Sequence, residues 1–389
     1  MLSFDNTGIA YGNKSDTDLK RACYLFRIMS KPLLVKTAKV MFRIAHALHI
    51  PFAWAVKPHL YKQFVGGETL EDCLPLVRRL EKYNVKAILD YSVEKIVSEK
   101  YIHHPMDEFV MTIDEAAIDS NIPFAVFKPT ALCSEEILEK AATGNLKSAN
   151  ERKEANKFRT RVEILCRHAF FKKVRIMIDA EDSWYQSFID DVAEEMMEKF
   201  NKETAIVYNT LQMYRVDRFE YLKSLYERAR EKEFFLGIKL VRGAYMEKER
   251  ARAAALGYPS PIQPDREATD RSFDEALHFA MRHVDRIYIF NGTHNENSTR
   301  LLVELMQRYG IEKTDERCYF SQLYGMSDNI SFTLAGLGYN VAKYVPYGPV
   351  EAVMPYLIRR AEENTAIASQ TGRELNLIRQ ELQRRKKEA

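Results

Sequence analysis

The sequence predicts an α/β fold, a (β/α)8 barrel of TIM type preceded by an N-terminal helical segment. Three observations carry that expectation. From residue 85 onward, short β-branched and aromatic runs alternate with amphipathic helical stretches, the pattern of a parallel sheet. The runs number eight, the strand count of such a barrel. Residues directly after most runs are polar or charged, and barrels of this kind build their sites at the C-terminal strand ends. The doubly wound alternative would want G-x-G-x-x-G after its first strand, and none is present.

Taken in order, residues 1–64 read as the helical segment, 65–370 as the barrel and 371–389 as a basic C-terminal helix. The clearest early helix spans about 32–49. Its apolar face is read as Leu34, Ala38, Met41, Ala45 and Leu48, and its basic stripe as Lys36, Lys39, Arg43 and His46. Such a helix packs on its own protein or lies on an anionic membrane surface. The strand-like runs are 85–89, 124–129, 174–179, 205–211, 235–241, 286–290, 317–323 and 341–345. The last stops at Pro346-Tyr347-Gly348, and a helix follows from near Pro349.

Composition is that of a soluble globular protein: 389 residues, 46% hydrophobic and 29% charged. A net charge of +3 is too small to imply nucleic acid as a partner. Five scattered cysteines without C-x-x-C argue for a reducing compartment and against a disulfide framework. No secretory signal, transit peptide or membrane-spanning stretch is evident, so the expected location is cytoplasmic, with a peripheral contact on the inner face of the membrane.

The chemistry lies at the run ends. Lys128, Lys239, Arg242, Arg359 and Arg360 make the expected mouth basic, offset by Asp179, Glu94 and Glu363. Such a mouth suits a carboxylate together with a phosphate-bearing cofactor. The Arg242-Gly243-Ala244 turn lets backbone approach closely, as phosphate binding needs. Arg359 and Arg360 are adjacent forks on a helix, one turn after Tyr356 and one before Glu363, an arrangement suited to an amino-acid carboxylate. The bland alternative is a solvated arginine pair. A catalytic metal is disfavoured because His294 is the only histidine at a run end. A serine hydrolase is disfavoured because G-x-S-x-G is missing.

Several of these segments resemble the proline dehydrogenases, FAD-dependent (β/α)8 barrels. They are I-D-A-E (178–181), L-Q-M (211–213), K-L-V-R-G-A-Y (239–245), T-H-N (293–295), Y-V-P-Y-G (344–348) and Y-L-I-R-R-A-E-E-N (356–364). The resemblance runs in order from about residue 60 to 366. It implies oxidation of L-proline to 1-pyrroline-5-carboxylate by hydride transfer to FAD. Electrons would pass to a membrane quinone, and the product to a separate pyrroline-5-carboxylate dehydrogenase. It further implies that Arg359 and Arg360 bind the proline carboxylate with help from Lys128. Tyr344, Tyr356 and Leu240 would pack on the ring, and Asp179 would orient Lys128. Lys239 would lie beside flavin N5, with Gln212 near the ring system, and Ala180, Arg242, Gly243, Ala244, Thr293 and His294 would contact FAD. Glu94 would pair with Arg359 as a gate. Many bacterial members carry arginine where this chain has Lys239, so a two-pronged contact there is lost. The bulk of Tyr344 favours proline over hydroxyproline. The chain ends soon after the barrel, which leaves no room for a fused aldehyde dehydrogenase domain and suggests a monofunctional enzyme. The rivals are another flavin barrel, such as a methylenetetrahydrofolate reductase, and a non-catalytic barrel that binds an amino acid.

Overall fold

In a computed structural model the chain adopts the (β/α)8 fold. The structure describes residues 2–47, 56–92, 103–366 and 368–388. Eight strands form one sheet in the order β1-β8-β7-β6-β5-β4-β3-β2. They are β1 (Lys86–Tyr91), β2 (Phe124–Phe127), β3 (Arg175–Ile178), β4 (Val207–Gln212), β5 (Leu236–Val241), β6 (Ile287–Gly292), β7 (Cys318–Leu323) and β8 (Val341–Tyr347). Helices separate consecutive strands, and the pairs from β2 to β7 are parallel. The chain divides into two compact units, Ile88–Ser321 and Met1–Ala87 with Gln322–Ala389. Those edges differ from the boundaries expected at 64 and 370.

In the Ile88–Ser321 unit, aromatic rings fill the sheet's concave side. Phe124 meets Tyr208, Phe290 and Tyr319 edge-on at ring separations of 5.3, 5.2 and 5.0 Å. Tyr208 also dictates the glycine opposite it. A Cβ on Gly237 would stand 2.6 Å from the Tyr208 ring and 2.5 Å from the Val207 carbonyl, so β4 and β5 can close only on glycine there. Because side chains alternate along a strand, the filled positions of β4 continue upward as Thr210 and Gln212.

The other unit has its own apolar core, shared by the helix Asp16–Met29, segment 61–65, the helix Val350–Ala366 and the helix Ala368–Glu388. A capping box between Ser15 and Asp18 starts the helix Asp16–Met29. β8 runs on through Pro346 to Tyr347, past the expected stop at 345. Proline cannot donate, but the Pro346 carbonyl accepts from Gly66 N at 2.9 Å, and Gly348 N donates to the Gly67 carbonyl at 3.1 Å. The helix His103–Ile118 precedes β2.

One expectation about the surface is corrected. In the helix Pro32–Ala47 the described part of the face read as packed is exposed: Leu34 is 43% and Met41 70% exposed, with Leu33 and Val40 also outside, while Leu48 and the side chains of Ala45, Lys39, Arg43 and His46 lie outside the described residues. Among the described residues of this helix Val35 is buried, and Phe42 packs partly against the core. The arginines of the C-terminal helix are engaged. Arg385 donates to Asp16 at 2.8 Å and to the Tyr11 and Lys14 carbonyls at 2.9 Å, and Arg384 pairs with Glu381 and Glu388. Arg385→Ala is therefore expected to lower the melting temperature while leaving adsorption to anionic vesicles unchanged, which co-sedimentation will check.

Candidate active site

Within the Ile88–Ser321 unit, the C-terminal ends of β1, β2, β3 and β5 bring four charged side chains together. Lys128, one residue past β2, donates from Nζ to both oxygens of Asp90, at 3.0 and 2.9 Å. It also reaches Asp179 Oδ2 at 3.3 Å. Asp179, one residue past β3, accepts from Lys239 Nζ at 2.6 Å. All four are largely withdrawn from water, with side-chain exposures of 7% for Lys128, 1% for Asp90, 13% for Asp179 and 8% for Lys239. Charges so buried persist because they are paired and hydrogen-bonded.

A second layer ties the strand tips to one another. Glu181 accepts from Thr130 N at 2.8 Å and from Thr130 Oγ1 at 2.6 Å. Gln212 donates to the Glu181 carbonyl at 2.6 Å and accepts from Ala244 N at 3.1 Å. The tips after β2, β3, β4 and β5 are thereby linked in series. Gln212 thus positions the 242–244 turn, where Gly243 has φ +132. A Cβ there would lie 2.5 Å from the Tyr214 ring, so the turn requires glycine for space as well as for conformation.

Arg242 donates to Asp270 Oδ1 at 2.6 Å, Thr293 Oγ1 at 2.5 Å and Ser298 Oγ at 2.9 Å, and stacks over Phe273 at 4.5 Å. Burial holds its guanidinium below the usual arginine value. Thr293 is buried and His294 half-buried at the end of β6. Thr210 Oγ1, on the same face of β4 as Tyr208 and opposite Lys239, is buried and has no hydrogen-bond partner among the described residues.

The basic mouth expected from sequence is corrected in this unit. Lys128, Lys239 and Arg242 face Asp90, Asp179 and Asp270, so the charges balance. Asp90 and Asp270 were not weighed as partners, because pairing across strands has no signature in local spacing. Leu240 follows Lys239 on β5 and is fully buried.

In the other unit, the helix Val350–Ala366 carries Tyr356 and Arg360 buried and Arg359 half-buried. The Arg360 guanidinium stacks 5.1 Å from the Tyr356 ring centre. That burial disfavours a solvated arginine pair. On β8, Lys343 turns to Asp328 at 2.8 Å, so the buried Tyr344 faces the other side of the strand. Glu94 lies outside the described residues, and so does the side chain of Glu363.

The five cysteines are buried and free. Burial pushes the Cys73, Cys133 and Cys318 thiols up to about 12, so they are unreactive near neutral pH. Among the described residues no group of three or more His, Cys, Asp or Glu could hold a metal, and no helix is long and apolar enough to cross a membrane.

Comparison with known proteins decides the family. The proline dehydrogenase family model matches residues 73–373. The chain belongs to the proline dehydrogenase family. It is 32% identical to hydroxyproline dehydrogenase of Xenopus laevis, over 99% of this chain and 90% of that protein. Proline dehydrogenase 1, mitochondrial, of Dictyostelium discoideum is 30% identical over 98% of this chain and 74% of its own length. The human protein of the same name is 39% identical over 66% of this chain and 44% of its length. These two relatives are named mitochondrial, which the expected cytoplasmic location does not match. Among solved structures, proline utilization A from Bdellovibrio bacteriovorus superposes with a TM-score of 0.72 at 22% identity, over 92% of this chain and 38% of that one. That likeness supports the fold.

Proposed function

We propose that this member of the proline dehydrogenase family oxidises L-proline to 1-pyrroline-5-carboxylate using non-covalently bound FAD. The observation that carries the reading is the Asp179 carboxylate held between Lys128 and Lys239 at the strand ends of a family barrel. The donors suit a flavin nucleotide. Arg242, held by Asp270, Thr293 and Ser298 beside the Gly243 turn, is a fixed cation that suits a phosphate. The Thr210 hydroxyl beside Lys239 is an orphan donor. Bound FAD supplies the two-electron acceptor.

In the reaction, the ring carbon beside nitrogen gives up a hydride and the nitrogen a proton, which forms the C=N bond. Arg359 and Arg360 bind the carboxylate, with Lys128 as a helper. Tyr344, Tyr356 and Leu240 pack on the ring. Lys239, fixed by Asp179, stabilises the negative charge that the cofactor gains. Ala180, Gln212, Arg242, Gly243, Ala244, Thr293 and His294 hold FAD, and Glu94 acts as the gate. A membrane quinone takes the electrons, and a separate pyrroline-5-carboxylate dehydrogenase consumes the product. The membrane contact fits the helix Pro32–Ala47, which exposes Leu33, Leu34, Val40 and Met41 beside Lys36 and contains no acidic residue.

Anaerobic L-proline should bleach the yellow chromophore of the purified protein, and acid precipitation should release all of the colour. A colourless protein would favour a non-catalytic binding barrel, and flavin left on the acid pellet would refute the non-covalent assignment. The name of the frog relative favours a second substrate, hydroxyproline. The same titration with trans-4-hydroxy-L-proline decides it, with slower bleaching than by proline expected from the bulk of Tyr344.

A further inference from the structure

Asp90 has no role in the reading above, yet its charge is almost fully buried at the strand ends. Its side chain is 1% exposed, and Lys128 Nζ contacts both of its oxygens, at 3.0 and 2.9 Å. Ser92, itself fully buried, donates from Oγ to Asp90 Oδ2 at 2.6 Å. Asp179 was expected to orient Lys128. It meets that ammonium on one oxygen only, at 3.3 Å, and its other oxygen takes Lys239 at the much shorter 2.6 Å. Each lysine therefore has its own carboxylate. A file of groups, Ser92–Asp90–Lys128–Asp179–Lys239, crosses the ends of β1, β2, β3 and β5 with two ammoniums matched by two carboxylates.

We infer that Asp90 is the positioning residue of Lys128: it fixes where that ammonium stands and offsets its charge. Without the Asp90 carboxylate, Lys128 keeps Asp179 as its acidic neighbour in the file and moves toward it. Asp179 is then shared between two ammoniums, and the file carries a net positive charge. Excess positive charge beside the cofactor favours its electron-rich form. Displacement of Lys128 removes it from the substrate carboxylate.

The inference rests on the flavin reading only for the readout on bound cofactor, so two measurements are paired. In the holoenzyme, Asp90→Asn should raise the preference for reduced over oxidised cofactor about tenfold, a midpoint potential ~30 mV more positive for a two-electron couple. KM for proline should rise more than kcat falls. In the Lys128→Met background, Asp90→Asn should leave the potential unchanged, because the ammonium through which Asp90 acts is gone. An unchanged potential in the single variant would overturn the inference. So would a rise that persists without Lys128, since Asp90 would then act as an independent charge.

The second measurement is a double-mutant cycle by denaturant unfolding of the cofactor-free chain, which needs no flavin. Asp90→Asn/Lys128→Met removes both charges and should be more stable than Asp90→Asn alone, which leaves a buried ammonium short of its partner. If Asp90→Asn alone does not fold, recovery of folding in the double variant is the expected result. A double variant whose loss equals the sum of the two single losses overturns the inference. A chain that binds no flavin but shows the coupling would refute the functional reading and leave the role of Asp90 intact.

Discussion

Replacement of Arg359 or Arg360 by Met will raise the KM for proline by roughly 30- to 1,000-fold, equivalent to about 2–4 kcal/mol, the scale on which truncating one partner of a desolvated charge pair is felt. Both residues lie on the helix Val350–Ala366, with Arg360 buried and Arg359 half-buried. Methionine keeps the length and much of the volume of the side chain, so the change removes charge and forks more than packing. Arg360 should show the larger effect. Its guanidinium lies on the Tyr356 ring, so its loss also frees a ring proposed to pack on the substrate. FAD content should largely survive, because the groups assigned to the cofactor lie in the Ile88–Ser321 unit. The measurement is steady-state kinetics together with flavin per chain. A KM that hardly moves in either variant would leave the arginines as a structural pair and remove the carboxylate assignment. Lost flavin would instead show that the helix supports the cofactor.

The fold was largely legible because its signal is local. All eight expected runs overlap an observed strand, with end shifts of one or two residues where a strand is extended or ended by a distant partner. β8 is the clearest such case: its last residues are paired by Gly66 and Gly67, nearly three hundred positions earlier in the chain. The helix Pro32–Ala47 was recognised, but its faces were assigned wrongly. Leu33, Leu34 and Val35 are consecutive and point around the helix, so periodicity alone does not choose the buried one. Partner carboxylates were the least legible feature. Asp90 stands directly after the expected run 85–89 and Asp270 inside a helix, and only the folded arrangement of strands brings each to its cation. Both could have been found by asking which acid offsets each basic residue at a strand end, since an unbalanced buried ammonium is too costly to keep.

The pH dependence of stability will be carried to a measurable extent by Glu374. This residue, on the helix Ala368–Glu388, is buried and accepts from Ser327 N at 2.8 Å, with Tyr11 Oη 3.5 Å away. Around it lie Asp328, Lys343 and Lys14, with Lys343 2.8 Å and Lys14 3.4 Å from Asp328. Burial, reinforced by Asp328, pushes the Glu374 carboxyl up to about 7. An unfolded glutamate releases its proton near pH ~4.3. Between those two values the folded chain binds more protons than the unfolded one, so stability falls as pH rises and levels off above the folded value. The stabilising term is fully present below pH ~4 and amounts to roughly 4 kcal/mol over the window. Asp328 works in the opposite direction. Although burial opposes ionisation, Lys343 and Lys14 hold its carboxyl below the usual range, so its contribution is present at neutral pH and is lost only as pH falls below that range. The two windows are separate, which lets one substitution isolate Glu374. Gln at that position keeps an oxygen for Ser327 N and mimics the protonated acid. Glu374→Gln should match the parent protein in urea unfolding at pH 4.5 and exceed its stability by a few kcal/mol at pH 8. Equal stability at both pH values would show that Glu374 titrates normally in the folded chain, and a less stable variant at pH 8 would show that its ionised form supports Lys343 and Lys14 more than burial opposes it.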